Sequence, residues 1–435
     1  MHLKFSSLLP LSLLLGGMAQ AQNLQELYDA ARAFDATYLS ARALAQSAEY
    51  RAAQSEALLR PSAALAANAT AAAVDVPRLG TGDSNTLGTS VTGRYPIFNR
   101  ANNATVEQAR KSLIVAQADL ETAEQDLIVR VAQNYFDVLG AQDTLSTTQA
   151  SKKAITEQLA SAKRNFEVGT TTITDTREAQ ARFDLATAQE IAAENDLRTK
   201  RIALETLVGR SNTAPKGLAT PVLLPATTPL NAEEWVSVGD NQHPSVRRAR
   251  IGLDVAMLET AKARAGDAPT VDAVGSLGLS RASGSSATLP GSTKSATLGV
   301  QLNWPLYTGG LVQNRIKETL VLEEKSRNDL EAARRGVAQG TRVAYFGVQS
   351  GQAQVKALEA AEASTKLALE ATQLGYKVGV RVNLDVLNAQ TQLFTTQRDL
   401  AKARYDVLLG GLKLRQASGQ LLASDIDVVN RLLAK

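Results

Sequence analysis

Few residues of this 435-residue sequence have the types and spacing that chemistry requires. Cysteine is absent, and the two histidines are His2 and His243. These counts exclude disulfides and thiolate chemistry and leave too few imidazoles for a histidine metal cluster. They also argue against Ser-His-Asp catalysis, because His243 is the one histidine outside the N-terminal segment. We interpret His243, followed by Pro244 and Ser245, as the start of a helix with proline in its first turn. We therefore expect no catalytic residues, no metal site and no cofactor, and hence a protein that is not an enzyme.

The other candidates for a functional role lie around two similar glycine-containing turns. Residues 166–169 read Phe-Glu-Val-Gly and residues 376–379 read Tyr-Lys-Val-Gly, and an aspartate, Asp175 or Asp385, follows each glycine by six residues. Glycine at such a point predicts a left-handed helix end that reverses the chain between two helices. Each aspartate would then open a helix, where the helix dipole favours a carboxylate. Helix-end chemistry is one explanation of these aspartates, and a functional role is the other.

The elements that position these turns follow from composition and from the placement of proline. Alanine, leucine, glutamine and glutamate dominate long stretches, which is typical of extended helices, and aromatic residues make up only 4%. Residues 97–214 and 306–435 contain none of the twelve prolines. Because proline costs about 3 kcal/mol inside a helix, these stretches predict very long helices. One that ran from residue 101 to Phe166 would extend roughly 100 Å at about 1.5 Å per residue.

Heptad spacing in the second proline-free stretch predicts that its helices pack side by side. Large and small residues form the two positions of an a/d seam. The large residues are Val386, Leu393, Leu400, Val407 and Leu414, and the small ones are Ala389, Thr396, Ala403, Gly410 and Ala417. Small seam residues let helices approach closely, as a wall of helices requires, although an ordinary antiparallel bundle could show the same pattern.

The two halves of the sequence resemble each other at a constant offset. Pairs separated by 210 residues include Tyr135 with Tyr345, Gly169 with Gly379, Asp175 with Asp385, Gln180 with Gln390 and Gly209 with Gly419. We therefore expect a duplicated unit. Residues 22–214 and 231–435 would each form a helix, two β-strands and a long helical hairpin, joined by a linker over residues 215–230. The second repeat would end in a C-terminal tail.

Each half carries two segments of alternating polarity before its long helices. The clearest is residues 296–304, where Ala, Leu, Val, Leu and Trp alternate with Thr, Gly, Gln and Asn. This alternation predicts transmembrane barrel strands, and a half-buried sheet in a soluble domain is the alternative. The small and polar residues 80–84 and 283–292 are expected to form exposed loops. Four strands cannot close a barrel in lipid, so several copies of the chain must contribute strands to one barrel. Two copies would give eight strands and three copies would give twelve.

The first 21 residues have the features of a secretory signal peptide. Lys4 is followed by a short apolar stretch, and residues 19–21 read Ala-Gln-Ala, a small-x-small cleavage pattern. No apolar run approaches the roughly 20 residues that a membrane helix needs, which leaves the periplasm, the outer membrane or secretion. The net charge of +4, without a basic stripe, argues against a nucleic-acid partner.

This layout resembles the TolC-type outer membrane factor (outer membrane efflux protein) family over nearly the whole mature chain. The most specific stretch is residues 376–390, Tyr-Lys-Val-Gly-Val-Arg-Val-Asn-Leu-Asp-Val-Leu-Asn-Ala-Gln. The resemblance implies the exit duct of a tripartite efflux or type I secretion system, in the outer membrane of a Gram-negative bacterium and extending into the periplasm. It implies a homotrimer with a 12-strand β-barrel and a 12-helix α-barrel. The implied partners are outer-membrane lipid, a periplasmic adaptor protein and an inner-membrane pump of RND, ABC or MFS type.

The resemblance also implies roles for the residues around the turns. Asp175, Tyr376 and Arg381 match positions whose hydrogen bonds and ion pairs keep the inner mouth closed, and an Asp–Arg pair between hairpins suits a gate. Asp385 matches the first carboxylate of an Asp-x-x-Asp pair at the entrance, but Asn388 stands at the second position, so cation selectivity should be weaker. The turns would be the tips that adaptor proteins grip: Val168, Gly169, Thr170, Val378, Gly379 and Val380.

Two other functions are compatible with long coiled coils. The main alternative is a periplasmic coiled-coil adaptor (membrane fusion) protein of an export complex, and a soluble coiled-coil scaffold is the third hypothesis. An adaptor would have one hairpin and an inner-membrane or lipid anchor. Two equivalent hairpins and four alternating strands therefore favour the channel.

Overall fold

The computed structural model describes residues 22–76, 80–284 and 290–434, so the predicted signal peptide, residues 1–21, lies outside the described residues. The helices are α1 (Leu24–Phe34), α2 (Ala36–Glu56), α3 (Arg100–Glu167), α4 (Ile173–Val208), α5 (Ala232–Gln242), α6 (Pro244–Arg264), α7 (Leu311–Lys377), α8 (Asn383–Ala417) and α9 (Asp425–Asn430). The strands are β1 (Ser62–Val76), β2 (Gly80–Phe98), β3 (Thr270–Gly284) and β4 (Gly291–Asn303). The expected very long helices are confirmed, since α3 has 68 residues and α7 has 67.

None of the helices in these described ranges combines the length and the apolar character that crossing a membrane would require.

The chain divides into two compact units. The first comprises the described residues up to Leu39, Glu124–Trp235 and the chain from Thr341 onward. It holds α1, α4, α8, α9 and both hairpin turns. The second comprises Ser40–Ala123 and Val236–Gly340, and it holds the four strands and α6. The long helices α3 and α7 contribute residues to each unit.

The helices of the first unit pack along the predicted heptad seam. All five large seam residues of α8 are buried: Val386, Leu393, Leu400, Val407 and Leu414. Midway along α8, Leu400 and Val407 form a buried cluster with Val355 of α7. Burial of a Leu or Val side chain stabilises a fold by roughly 1.5–3 kcal/mol, so the repeated seam holds these helices side by side.

The second unit contains one antiparallel sheet with the strand order β1-β2-β3-β4. Leu65 pairs with Val91, Val91 with Leu277, and Leu277 with Ala296. Alternate residues of a strand share a face, so this row defines an apolar face. Its exposed large residues include Leu65, Leu87, Val91, Tyr95, Leu277, Leu279, Leu298, Val300 and Leu302. The opposite, polar face carries Asn68, Ser90, Thr92, Ser276 and Thr297.

The strands are longer than the sequence pattern suggested. Residues 80–84, expected as a loop, begin β2 and pair with residues 72–76 of β1. Residues 283–284 likewise end β3, and residues 291–292 begin β4. The loop prediction was wrong at these positions because cross-strand pairing overrides the weak strand propensity of glycine and serine. The connections themselves, residues 77–79 and 285–289, lie outside the described residues.

The C-terminal residues form a docked helix rather than a free tail. Ile426 and Val429 of α9 are buried. The Leu24 N–H donates to Asn430 Oδ1 at 3.0 Å, which connects α9 to the start of α1. Arg415 Nη1 of α8 lies 2.9 Å from Asp425 Oδ1. These contacts give the segment a structural role in the first unit that its sequence did not indicate.

Candidate functional site

The turn after α3 has the hydrogen bonds of a Schellman motif, the common glycine-containing end of a helix. Gly169 has a φ of 77°, in the left-handed region, as its sequence context led us to expect. Its N–H donates to the Phe166 carbonyl at 3.0 Å, and the Thr170 N–H donates to the Asn165 carbonyl at 2.8 Å. This arrangement satisfies the last carbonyls of the helix and leaves the Val168 side chain 73% exposed.

The turn after α7 repeats the same geometry. Gly379 has a φ of 79° and donates to the Tyr376 carbonyl at 3.1 Å, while the Val380 N–H donates to the Gly375 carbonyl at 2.9 Å. Val378 and Val380 are 65% and 77% exposed. Each turn therefore holds apolar side chains away from the packed helices on a fixed backbone.

Asp175 completes the first turn of α4. Its Oδ2 accepts hydrogen bonds from the Thr172 N–H at 3.0 Å and from the Thr172 hydroxyl at 2.8 Å. The Asp175 N–H donates back to Thr172 Oγ1 at 3.3 Å, which makes a reciprocal capping box. Within the described part of a single chain, Asp175 is not paired with Arg381. The helix-end explanation of this aspartate is therefore observed directly.

Tyr376, Arg381 and Asp385 lie at the second turn. The Tyr376 hydroxyl accepts a hydrogen bond from Asn165 Nδ2 at 3.3 Å, which joins the end of α7 to the end of α3. Arg381 Nη1 lies 3.6 Å from Asp385 Oδ2, one helical turn away. The Arg381 side chain is 61% exposed, and exposed pairs of this kind contribute about 0–1 kcal/mol. Arg381 can therefore exchange partners at little cost.

Asn388 has a partner that its sequence did not predict. Arg182 Nη2 of α4 donates to Asn388 Oδ1 at 3.0 Å. Asn388 is three residues beyond Asp385, so both residues lie on one face of α8. The structure thus groups Arg381, Asp385, Asn388 and Arg182 at the start of α8, while Asp175 remains with Thr172.

Polar residues of the first hairpin contact the second hairpin, and sequence reasoning missed them. Asn165 reaches Tyr376, Arg182 reaches Asn388, and the Gln158 amide donates to Asn383 Oδ1. Asn383 is 3% exposed, so an uncharged polar contact lies in the interface between α3 and α8. No local pattern marks these residues, because each pair is more than 200 positions apart.

A second polar contact between the hairpins lies further along α3 and α8. The Tyr405 hydroxyl donates to Asp143 Oδ2 at 2.6 Å, and the Tyr405 ring stacks on Phe136 with centroids 5.6 Å apart. Burial raises the pKa of the Asp143 carboxyl, and the Tyr405 hydrogen bond offsets only part of this rise. Burial, together with the hydrogen bond to Asp143, raises the pKa of Tyr405 as well. This contact fixes α8 against α3 away from the turns.

His243 has a local structural role. Its Nδ1 accepts a hydrogen bond from the Ser245 N–H at 3.1 Å, and Pro244 occupies the first turn of α6. Burial lowers the pKa of the His243 imidazole, although Glu121 opposes this shift. The expected helix start is confirmed.

The two faces of the sheet differ in polarity. The charged residues of the polar face on the described strands are Arg94 and Asp272, whose Nη2 and Oδ2 atoms lie 2.6 Å apart. The apolar face presents leucines and valines to the surroundings, and Leu298 is 92% exposed. Arg281 and Lys294 share this face, close to the ends of β3 and β4. An exposed apolar face beside a face of small polar residues is the pattern of a strand between lipid and an aqueous lumen.

The chain combines such a sheet with two long helical hairpins. This combination is the architecture of an outer-membrane export channel. The family described as outer membrane efflux protein matches residues 27–210 and 236–420. The chain therefore belongs to the outer membrane efflux protein family.

Individual relatives agree with this assignment. The chain is 34% identical to the outer membrane protein TolC of Vibrio cholerae over 413 residues, covering 94% of this chain and 93% of the relative. It is 32% identical to the alkaline protease secretion protein AprF of Pseudomonas aeruginosa over 340 residues, covering 77% and 70%. The fold is similar to that of the Campylobacter jejuni CmeC outer membrane channel, with a TM-score of 0.79, 17% identity and coverage of 95% and 90%.

These similarities confirm the expected function and location. The chain is an exit duct in the Gram-negative outer membrane for efflux or type I secretion. The relatives are channels, secretion proteins and efflux proteins, in keeping with a protein that is not an enzyme. They favour the channel over the periplasmic adaptor that the sequence left as an alternative.

Proposed function

We propose that three copies of the chain form one duct, which takes solutes or proteins from a periplasmic adaptor and an inner-membrane pump and releases them outside. The observation that carries this proposal is the four-stranded sheet. Among the described strands, β1 and β4 are each paired along one edge only. Open strand edges are not tolerated in lipid, so these edges must pair with other copies. Family resemblance favours three copies and a twelve-stranded barrel.

The mass of the detergent-extracted protein tests this assembly. Native mass spectrometry should give three chains in one particle, and planar bilayers should show discrete conductance steps. A particle of one or two chains, or a preparation without conductance, would contradict the proposed duct.

We also propose that residues 22–214 and 231–435 are copies of one ancestral unit, joined by residues 215–230. The family match to both halves supports this division. So does the order of elements, because each half has helices, two strands and a long helical hairpin.

The start of α8 is proposed to form the entrance on the pump side, with Asp175, Tyr376 and Arg381 as gate residues between neighbouring hairpins. The weak, exposed Arg381–Asp385 pair supports this role, because Arg381 could exchange Asp385 for another partner as the entrance opens and closes. Asp385 would supply one ring of carboxylates in the trimer, which attracts cations.

Substitution of Asp385 tests the entrance. Asp385→Ala should lower the ratio of potassium to chloride permeability in single-channel recordings, because the carboxylate ring is lost. Asp427→Ala in α9 is the control and should leave the ratio unchanged. An unchanged ratio in Asp385→Ala would remove this residue from the pore lining.

The two hairpin turns are proposed to be the tips that bind the adaptor. Their exposed valines, Val168, Val378 and Val380, give each tip an apolar surface held by a rigid turn. Val380→Glu should abolish export in cells while the purified channel still conducts. Export at the normal rate in this variant would argue against the tips as the docking surface.

A further inference from the structure

We propose that Arg182 is an additional selectivity-determining residue of the duct, acting as a fixed positive charge beside Asp385. The inference rests on the proposed entrance at the start of α8. Arg182 belongs to the other hairpin, on α4, and none of the sequence patterns pointed to it.

The packing of α4 on α8 fixes the position of Arg182. Leu387 of α8 is 1% exposed and lies in a buried cluster with Ala179 and Ala186 of α4. Arg182 lies three residues after Ala179 and four before Ala186, so it shares their face of α4. Asn388 directly follows Leu387. The same contact that buries Leu387 therefore brings the Arg182 side chain to Asn388.

The Arg182 charge is not neutralised within the described part of the chain. The partner of its Nη2 is the Asn388 amide oxygen, at 3.0 Å, which accepts a hydrogen bond but carries no charge. No carboxylate of the described residues forms an ion pair with Arg182. A carboxylate at position 388 would have formed a charged, hydrogen-bonded pair with this guanidinium.

Arg182 shifts the balance of charge among the residues grouped at the start of α8. Arg381 offsets part of the Asp385 charge, and Arg182 adds one positive charge, so these three residues carry a formal charge of +1 in each copy. Symmetry repeats this charge in every copy around the axis of an oligomer. A ring of positive charge repels cations and attracts anions, so the entrance should pass anionic solutes better than Asp385 alone would allow.

A purely structural role for Arg182 is the competing explanation, because its hydrogen bond joins α4 to α8. Two substitutions distinguish the effect of the Arg182 charge from the effect of its hydrogen-bond geometry. Arg182→Gln removes the charge and retains a donor, whereas Arg182→Lys retains the charge and loses the planar guanidinium. Arg201→Gln is a matched control, since Arg201 also lies on α4 and donates to an amide oxygen, that of Gln142, at 2.9 Å.

The test is the potassium-to-chloride permeability ratio of the purified full-length channel, measured from reversal potentials in planar bilayers with a KCl gradient. Arg182→Gln should raise the ratio by about twofold or more, because one charge without a carboxylate partner is removed from each copy at the proposed entrance. Arg182→Lys and Arg201→Gln should match the wild type. Asn388→Asp should also raise the ratio, since it neutralises Arg182 in place.

Two results would overturn the proposal. One is an unchanged ratio in Arg182→Gln, and the other is an equal change in Arg182→Gln and Arg182→Lys, which would indicate a structural effect. If Asp385→Ala lowers the ratio in either case, the proposed entrance stands and only the role of Arg182 fails. If Asp385→Ala also has no effect, the entrance assignment fails with it.

Discussion

At the scale of single residues, the two turn glycines decide where the long helices end. Gly169 and Gly379 have nearly the same positive φ, and each allows two backbone hydrogen bonds that close its helix. A side chain at this φ is strained for steric reasons within the residue itself. The sequence predicted both positions because the preference for glycine at a positive φ depends only on the residue itself and its neighbours along the chain.

Substitution of Gly379 should loosen its turn. No atom lies within 4 Å of a Cβ added there, so Gly379→Ala acts through backbone strain, which costs roughly 1–2 kcal/mol. Hydrogen exchange of the Val380 amide should become about tenfold faster or more. Gly347→Ala, in the interior of the same helix and also with free space, should instead stabilise by up to about 1 kcal/mol. Equal exchange in both variants would contradict the strain argument.

Asp143 should make stability depend on pH. Its folded-state pKa is raised by burial, so the native state binds more protons than the unfolded state between the two pKa values. Stability contributed by this group should therefore fall as pH rises from about 4, the unfolded value. Asp143→Asn keeps an acceptor for the Tyr405 hydroxyl and removes the titrating group. Thermal unfolding of the variant should show a smaller loss of stability with pH, and an unaltered pH profile would contradict this reasoning.

At the scale of elements, the heptad seam and the alternating strands were both predictable. Spacing of seven along α8 matched the buried residues, because a helix seam repeats at fixed intervals along one chain. Strand ends were less predictable. Residues 80–84 look like a loop in the sequence but pair with β1, because pairing depends on a strand that the local sequence does not contain.

The two sheet faces should respond differently to the same charge. Leu298→Lys places an ammonium on the apolar face and should destabilise the membrane-inserted channel by about 2–4 kcal/mol. Thr297→Lys, one residue earlier and on the polar face, should be tolerated because it points to the aqueous side. The amount of folded protein in urea-washed outer membranes measures this difference. Similar losses for both variants would mean that the apolar face does not meet lipid.

At the scale of the whole molecule, the proposed assembly would couple folding to association through the sheet edges. The outer edges of β1 and β4 have no partner strand among the described residues, so under the proposed assembly one chain alone would have no closed sheet. The denaturant midpoint of the detergent-solubilised protein should therefore rise with protein concentration. A midpoint that stays constant over a hundredfold range of concentration would show that the sheet is stable within one chain.

The sequence by itself determined the features that depend on neighbours along the chain: the long helices, the four strands, the left-handed turns and the family. Proline placement, heptads and period-two alternation are local signals, so they can be read without a structure. Tertiary structure alone decided which residues of the first hairpin meet the second, such as Arg182 with Asn388 and Tyr405 with Asp143. These contacts join helices far apart in sequence, and only the packing of those helices brings their side chains together.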